Sequence, residues 1–461
     1  MSTIGICHYK VGDTDGVSLE IDKWAQVLHW MGHDVHLCAG LLTDREGFLI
    51  EELYHHRRDV ERITRNAFCE FSDYESEADF EEEILALSER IACRVRAFID
   101  ASSIDLLVVD NVWSIGANLP AAIAFTKVIR ECRVPAVAHH HDFYWEEPRG
   151  MTPSCGIART LAREHLPPKD PLITHVVINS LAQRELPKRS GIDSRVIPNV
   201  FDFSGDCWVF DAYNRGFRRS IDVNENDVVV LQATRVLERK GIELAIDLVK
   251  ELDESRNRTA LQRAGLYDGR RFDPNSRIVL VLAGYVEDGS EDYLQRLKRK
   301  IERERVEARF IADRVRSTRE EIDGSRVYSL WDCYTMADLV AYPSLFEGWG
   351  NQFLEAICAR LPIALFEYPV YREDIQEQGF EVISFGREVN EVDDLGLVCV
   401  SEQAIRRAAR QAVEVLTDSS LRQRMTEHNF QLGRNHYSLE SLERYLTAIV
   451  GSVFNEPNLN H

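Results

Sequence analysis

Apolar residues follow two rhythms along the chain. Short continuous runs, TIGICHY at the start and then HDVHLCAG, IDLLVVDN, VPAVAHHHD and ITHVVINS, read as buried strands. Between them the spacing lengthens to three and four residues, as in SLEIDKWAQVLHWMG, the pattern of a helix laid on a sheet. Residues 73–101 carry the longest such stretch, with Phe80, Ile84, Leu87, Ile91, Val95 and Phe98 on one face. Strands alternating with helices predict a parallel, doubly wound α/β sheet.

The rhythm breaks at residues 200–225, where NVFDFSGDCWVFDAYNRGFRR is aromatic, polar and irregular. A second series then begins with the strand DVVVLQATR, the helix KGIELAIDLVKEL and the strand RIVLVLAG. A charged helix over 291–304, the strands ADLVAYPS, LPIALF and FEVISFG, and helices over 402–432 and 438–453 complete it. Two such halves predict two domains with a cleft between them and ligands at the carboxyl ends of the strands.

A length of 461 residues agrees, being more than one core usually serves. Against 55 Lys and Arg stand 76 Asp and Glu, a net charge of −21. That balance argues against non-specific binding to nucleic acid or to an anionic membrane, so any anionic ligand needs a local basic cluster. Ten cysteines without a C-x-x-C pair read as reduced core thiols. MSTIGICHYK leads directly into a strand with no signal-peptide pattern, and no apolar run approaches the roughly 20 residues of a membrane span. The expectation is a cytoplasmic protein without an integral membrane segment.

Four stretches carry candidate chemistry. In KVGDTDGVS, Gly12 and Gly16 precede a helix whose N-terminus suits a phosphate, or simply make a turn; the D-x-D within it lacks a third metal ligand. His139, His140, His141 and Asp142 end a buried strand, where alternation lets at most two histidines share a face. No H-x-x-x-H or cysteine pair adds a ligand, so a polar strand end with one histidine on a substrate hydroxyl is expected rather than zinc. In TRVLERKG, Arg235 and Lys240 can converge on one anion, or form a solvated turn. In PSLFEGWGNQFLEA, Glu347 and Glu355 are eight residues apart, about 12 Å along a helix. That is beyond the roughly 5–9.5 Å of a glycosidase pair. Gly348 and Gly350 instead open backbone N–H groups to a sugar or phosphate at a helix start.

In order along nearly the whole chain, DTDGVS, WMGHDV, VPAVAHHHD, VIPNVFD, TRVLERKG, ADLVAYPSLFEGWGNQFLEAICARLPI and YSLESLERYLTAIV resemble the retaining glycosyltransferases of family 4, with the GT-B fold. The resemblance implies two Rossmann-like domains facing across a cleft: an acceptor-side domain over 1–205 and a nucleotide-sugar domain over 206–435. A C-terminal helix, 436–461, would pack back toward the first. It implies that Glu355 holds the ribose and Glu347 the transferred sugar. The backbone of Gly348, Trp349 and Gly350 would hold that sugar, and that of Asn351 and Gln352 the diphosphate. Arg235 and Lys240 would neutralise the leaving group, Gly16 would close on the donor phosphates, and His141 would meet the donor sugar.

Asn111, Trp113, His139, His140, Asp142 and Tyr144 would face the acceptor. The implied activity is hexose transfer from a UDP-glucose or GDP-mannose type donor to a hydroxyl of a small polar or sugar-like acceptor. The nucleotide sugar acts as co-substrate, and neither metal nor cofactor is required. A GT-B glycoside phosphorylase and a non-catalytic sugar- or nucleotide-binding regulator are the alternatives. Two departures bear on sugar choice: Arg360 stands where the family has glycine, and FEYPVYREDI replaces a glycine-rich turn.

Overall fold

The computed structural model describes residues 1–12, 16–146, 150–205, 209–322 and 324–455. It divides into two compact units, Met1–Val200 with the last helix Leu439–Asn455, and Phe201–Ser438. The divisions fall near the expected 205/206 and 435/436. They are displaced because Phe201 and Ser438 form a parallel bridge, with the Phe201 N–H on the Tyr437 carbonyl at 2.8 Å. The second unit is thus tied shut where it begins and ends.

The first unit is a seven-stranded parallel sheet: β1 (Thr3–His8), β2 (Asp34–Ala39), β3 (Phe48–Leu49), β4 (Leu106–Asp110), β5 (Ala136–His140), β6 (Ile173–Val177) and β7 (Ser194–Val196). Its order is β3-β2-β1-β4-β5-β6-β7, so the winding reverses between β1 and β4. Helices cover both faces, which is why β4 and β5 are buried at every position. On one face Ile21 and Trp24 of helix Gly16–Trp30 meet Leu442 and Leu446 of the last helix over Ile4, Ile6 and Val108. On the other lies helix Glu77–Ser102, whose six predicted face residues are all buried. Ser76 starts that helix by accepting the Asp79 N–H.

The second unit repeats the plan with β8 (Val228–Gln232), β9 (Ile278–Leu282), β10 (Glu307–Phe310), β11 (Leu339–Tyr342), β12 (Ile363–Leu365) and β13 (Ile383–Ser384). The order β10-β9-β8-β11-β12-β13 places its reversal between β8 and β11. The single helix expected over 402–432 is two, Glu402–Thr417 and Ser419–Tyr437. Asp418 separates them because its carboxylate accepts the Leu421 N–H at 2.9 Å and starts the second helix afresh. The described cysteines are free thiols, and Cys69 and Cys93 are exposed rather than in a core. Among the described residues no helix is long and apolar enough to cross a membrane.

Candidate active site

In the second unit β8 and β11 are neighbours, with Val230 opposite Leu339 and Leu231 opposite Val340. The loops that leave their carboxyl ends, 233–241 and 343–350, therefore meet. The Leu345 N–H donates to the Arg239 carbonyl at 2.8 Å. Gly241 lies at φ 56°, and a Cβ there would stand 2.6 Å from the Pro343 carbonyl oxygen, so only glycine lets the loops come this close.

Glu347 lies buried between these loops. Its carboxylate accepts from Arg239 Nη1 at 2.9 Å and from Lys240 Nζ. Burial would raise the carboxyl, but the Lys240 and Arg239 charges outweigh it and hold the pKa at about 2. Burial lowers the Lys240 ammonium, with Glu347 opposing the fall. Arg235 is not in this group. Its Nη1 pairs with Glu287 on the loop after β9 at 2.5 Å, and its side chain is 40% exposed. The two cations expected to converge are thus separated, Lys240 inside on Glu347 and Arg235 outside on Glu287. Arg239 was not foreseen; the short turn Glu238–Lys240 is what lets adjacent residues reach one carboxylate.

Helix Asn351–Cys358 starts at the same edge, an arrangement that suits an anion. Gly350 opens it at φ 134°, where an added Cβ would stand 2.3 Å from Tyr368 Oη. That hydroxyl donates to the Trp349 carbonyl at 2.8 Å. Trp349 is buried edge-on against Tyr437, and its Nε1–H meets no acceptor among the described residues. Gly348 and Asn351 are half-buried and Gln352 is buried. Glu355, one turn into the helix and half-buried, accepts the Tyr334 hydroxyl at 2.5 Å. Glu347 thus meets Arg239 and Lys240, whereas Glu355 meets Tyr334. Arg360 takes the left-handed conformation that favours glycine, φ 52°, and lies over the Phe430 ring with Glu427 at 3.0 Å.

In the first unit the polar strand end gathers around Asp110, the last residue of β4, which is in register with His139 of β5. His139 Nδ1 lies 2.7 Å and His141 Nε2 3.3 Å from Asp110 Oδ1, and all three residues are buried. One ligand atom from each lies within 4.8 Å of the others. Asp110, from the neighbouring strand, thus joins two of the histidines, a partner that neither an H-x-x-x-H nor a cysteine pair would signal. Burial raises the Asp110 carboxyl, but the two imidazoles outweigh it and hold it well below the usual range. Burial pushes His139 down; His141, where the bond and charge of Asp110 prevail over burial, is raised and is the better proton carrier.

The remaining first-unit candidates divide by what already occupies them. Trp24 stacks on His139 at 4.3 Å, while His140 points to the opposite face, its Nε2 at 3.0 Å from His175 Nδ1. Asn111 Oδ1 accepts the His141 N–H at 2.8 Å. Trp113, expected on the acceptor side, is instead a core residue, its Nε1–H spent on Ala122 O and Thr126 Oγ1. Asp142 and Tyr144 are half-buried on the following loop, and Gly16 is exposed at its helix start. The D-x-D, Asp13 to Asp15, and Cys207 lie outside the described residues.

Residues 215–431, within the second unit, match the family model for glycosyl transferases group 1. Over nearly the whole chain it is similar to the mannosylglucosylglycerate synthase of Petrotoga mobilis, 37% identical over 440 residues, 95% of this chain and 98% of that one. The Thermotoga maritima protein of the same name is 37% identical over 447 residues, 97% and 99% of the two chains. The chain belongs to the group 1 glycosyl transferases. Two solved structures share the architecture of this glycosyltransferase at low identity. One is a glycosyltransferase from Rickettsia africae (TM-score 0.62, 13% identity, 99% of each chain). The other is a sucrose-phosphate synthase from Thermosynechococcus elongatus (TM-score 0.58, 12% identity, 98% and 99%). The two parallel-sheet units of this glycosyltransferase are those of the GT-B fold.

Proposed function

We propose that this glycosyltransferase is a retaining, family 4 enzyme that moves mannose from a nucleotide-diphosphate mannose to a hydroxyl of glucosylglycerate. The observation that carries the reading is the 37% identity, over almost the full length of both chains, to two mannosylglucosylglycerate synthases. Their name describes a product made of mannose, glucose and glycerate.

The geometry supports this chemistry without a metal or cofactor. A departing diphosphate gains negative charge; Lys240 and the N-terminus of helix Asn351–Cys358 supply positive potential at one sheet edge, and Arg235 on the same loop adds to it once it leaves Glu287. Glu347 is kept ionised by Arg239 and Lys240, so it can accept hydrogen bonds from donor-sugar hydroxyls. Glu355 takes the ribose hydroxyls. His141, whose proton is held by Asp110, donates to the donor sugar. The acceptor oxygen attacks the anomeric carbon on the face the phosphate leaves. The carbon–phosphate-oxygen bond breaks, and the acceptor's proton passes to the departing phosphate oxygen. Arg235 breaks with Glu287 to meet the diphosphate, a change that an exposed pair permits at little cost.

Incubation with GDP-mannose or UDP-mannose and glucosylglycerate should give mannosylglucosylglycerate and the nucleoside diphosphate, with the new linkage in the donor's anomeric configuration by NMR. Transfer from neither donor, or inversion, overturns the reading.

A further inference from the structure

The carboxyl edge of the first sheet holds a cavity of about 550 Å³ that none of the groups above uses. Its wall comes from the segment HHRRDVERITR, whose His55, His56, Arg58, Arg62 and Arg65 all line it. In a chain of charge −21 such a concentration of basic groups on one cavity calls for a reason. Two of the arginines are already compensated, Arg62 by Glu83 and Arg65 by Asp73. Arg58 is exposed and has no carboxylate partner among the described residues. His56 pairs with Glu61 at 3.0 Å.

The cavity is anchored to the polar strand end. The His55 ring packs at 5.2 Å from Tyr9, the residue after β1. The Tyr9 hydroxyl donates to the Val112 carbonyl at 3.3 Å, two residues beyond Asp110. Thr64 Oγ1 donates to the Ala117 carbonyl at 2.9 Å, fixing the opposite wall to the loop that leaves β4. His141 leaves β5, the next strand over. Tyr9 and Ala117 follow β1 and β4, so the cavity lies off the same carboxyl edge of the sheet as the Asp110–His141 pair.

Resting on the proposed mannosyl transfer, we infer that this cavity binds the carboxylate end of the acceptor, with Arg58 as its counter-ion, while the acceptor's sugar hydroxyl lies toward His141. An anionic acceptor entering a protein of charge −21 gains its affinity here from one uncompensated guanidinium, which can grip a carboxylate through two parallel N–H bonds. Position also fits: Arg58 begins helix Arg58–Phe68 at the surface, so its removal leaves the core intact.

The test compares the full-length wild type with Arg58→Ala and Arg58→Lys. Calorimetry reads binding of glucosylglycerate and of its uncharged counterpart glucosylglycerol, and kinetics read transfer to each. Loss of a charged hydrogen-bonding partner should weaken glucosylglycerate binding and raise its KM by about tenfold or more in Arg58→Ala. Its kcat should hold within about twofold, Arg58→Lys should recover part of the loss, and glucosylglycerol should be unaffected. Unchanged glucosylglycerate binding in Arg58→Ala, equal losses for both acceptors, or no binding by wild type overturns the inference. A wild type that transfers mannose yet ignores the substitution sinks the cavity assignment alone. A wild type that binds glucosylglycerate through Arg58 but never receives mannose on it sinks the transfer reading alone.

Discussion

Arg239 donates to Glu347 at 2.9 Å inside the second unit, and with the neighbouring Lys240 it surrounds one buried carboxylate with two cations. The site is therefore preorganised, its charges paired before a donor arrives. Glu347→Gln removes the anion and leaves two cations facing each other, which should cost about 3–5 kcal/mol at neutral pH. The carboxyl has a folded pKa of about 2 against about 4.3 in an unfolded chain. Because the folded value is depressed, its contribution is fully present above about pH 5 and is lost as the pH falls toward 2. The stability gap between wild type and Glu347→Gln, measured by urea unfolding, should narrow over that window. A gap that stays constant with pH removes the ion-pair account.

Arg235 and Lys240 stand on one loop yet should respond differently. Arg235 is half-buried and among the described residues pairs with Glu287, so Arg235→Ala should keep its urea midpoint while turnover falls by about 100- to 1,000-fold. Lys240→Ala should lose turnover to a similar degree and also lose stability, because Glu347 keeps one cation instead of two. Stopped assays beside unfolding curves separate the effects. Full activity in Arg235→Ala would discard its role at the leaving group.

Glu355 accepts the Tyr334 hydroxyl, which orients the carboxylate. Glu355→Ala should weaken binding of a nucleoside diphosphate by about tenfold in calorimetry, the scale of a charged hydrogen bond, and Tyr334→Phe by a few-fold through lost orientation. Normal nucleotide affinity in Glu355→Ala would remove the ribose assignment.

The proposed chemistry uses no metal, and Asp110, His139 and His141 supply the sharpest challenge to that. The Asp110 carboxylate already has two imidazoles at its Oδ1, which accounts for its burial without a cation. Exhaustive chelation should leave the transfer rate unchanged. A loss restored by zinc in wild type but not in His139→Ala would make the triad a metal site instead.

The fold was legible because periodicity alone separates strand from helix. Phe80, Ile84, Leu87, Ile91, Val95 and Phe98 mark helix Glu77–Ser102 without help from any distant residue. The break at Asp418 was missed although TDSS offers capping residues, since apolar spacing runs on through it. Asp110 was passed over because its meeting with His139 depends on β4 pairing β5 in register, a tertiary fact; both strands ending in polar residues was the available hint. Trp113 shows the converse. An aromatic residue in a polar loop looks like a ligand contact until the Ala122 carbonyl and Thr126 hydroxyl are seen to hold its N–H.

Gly350 offers the most direct test of the turn on which the donor side is built. Alanine there meets two separate obstacles: a backbone at φ 134° that L-residues rarely adopt, and the Tyr368 hydroxyl 2.3 Å from the new Cβ. Strain of the first kind costs about 1–3 kcal/mol. Overpacking of the second kind costs about as much again. Gly350→Ala should therefore unfold at distinctly lower urea and bind nucleoside diphosphate more weakly, because helix Asn351–Cys358 starts at this residue. Adding Tyr368→Phe removes the clashing oxygen, along with its bond to the Trp349 carbonyl, but leaves the backbone as it was. The double variant should accordingly recover only part of the lost stability. Complete recovery would mean that the turn tolerates alanine and that crowding by Tyr368, not backbone conformation, is what keeps glycine at this position.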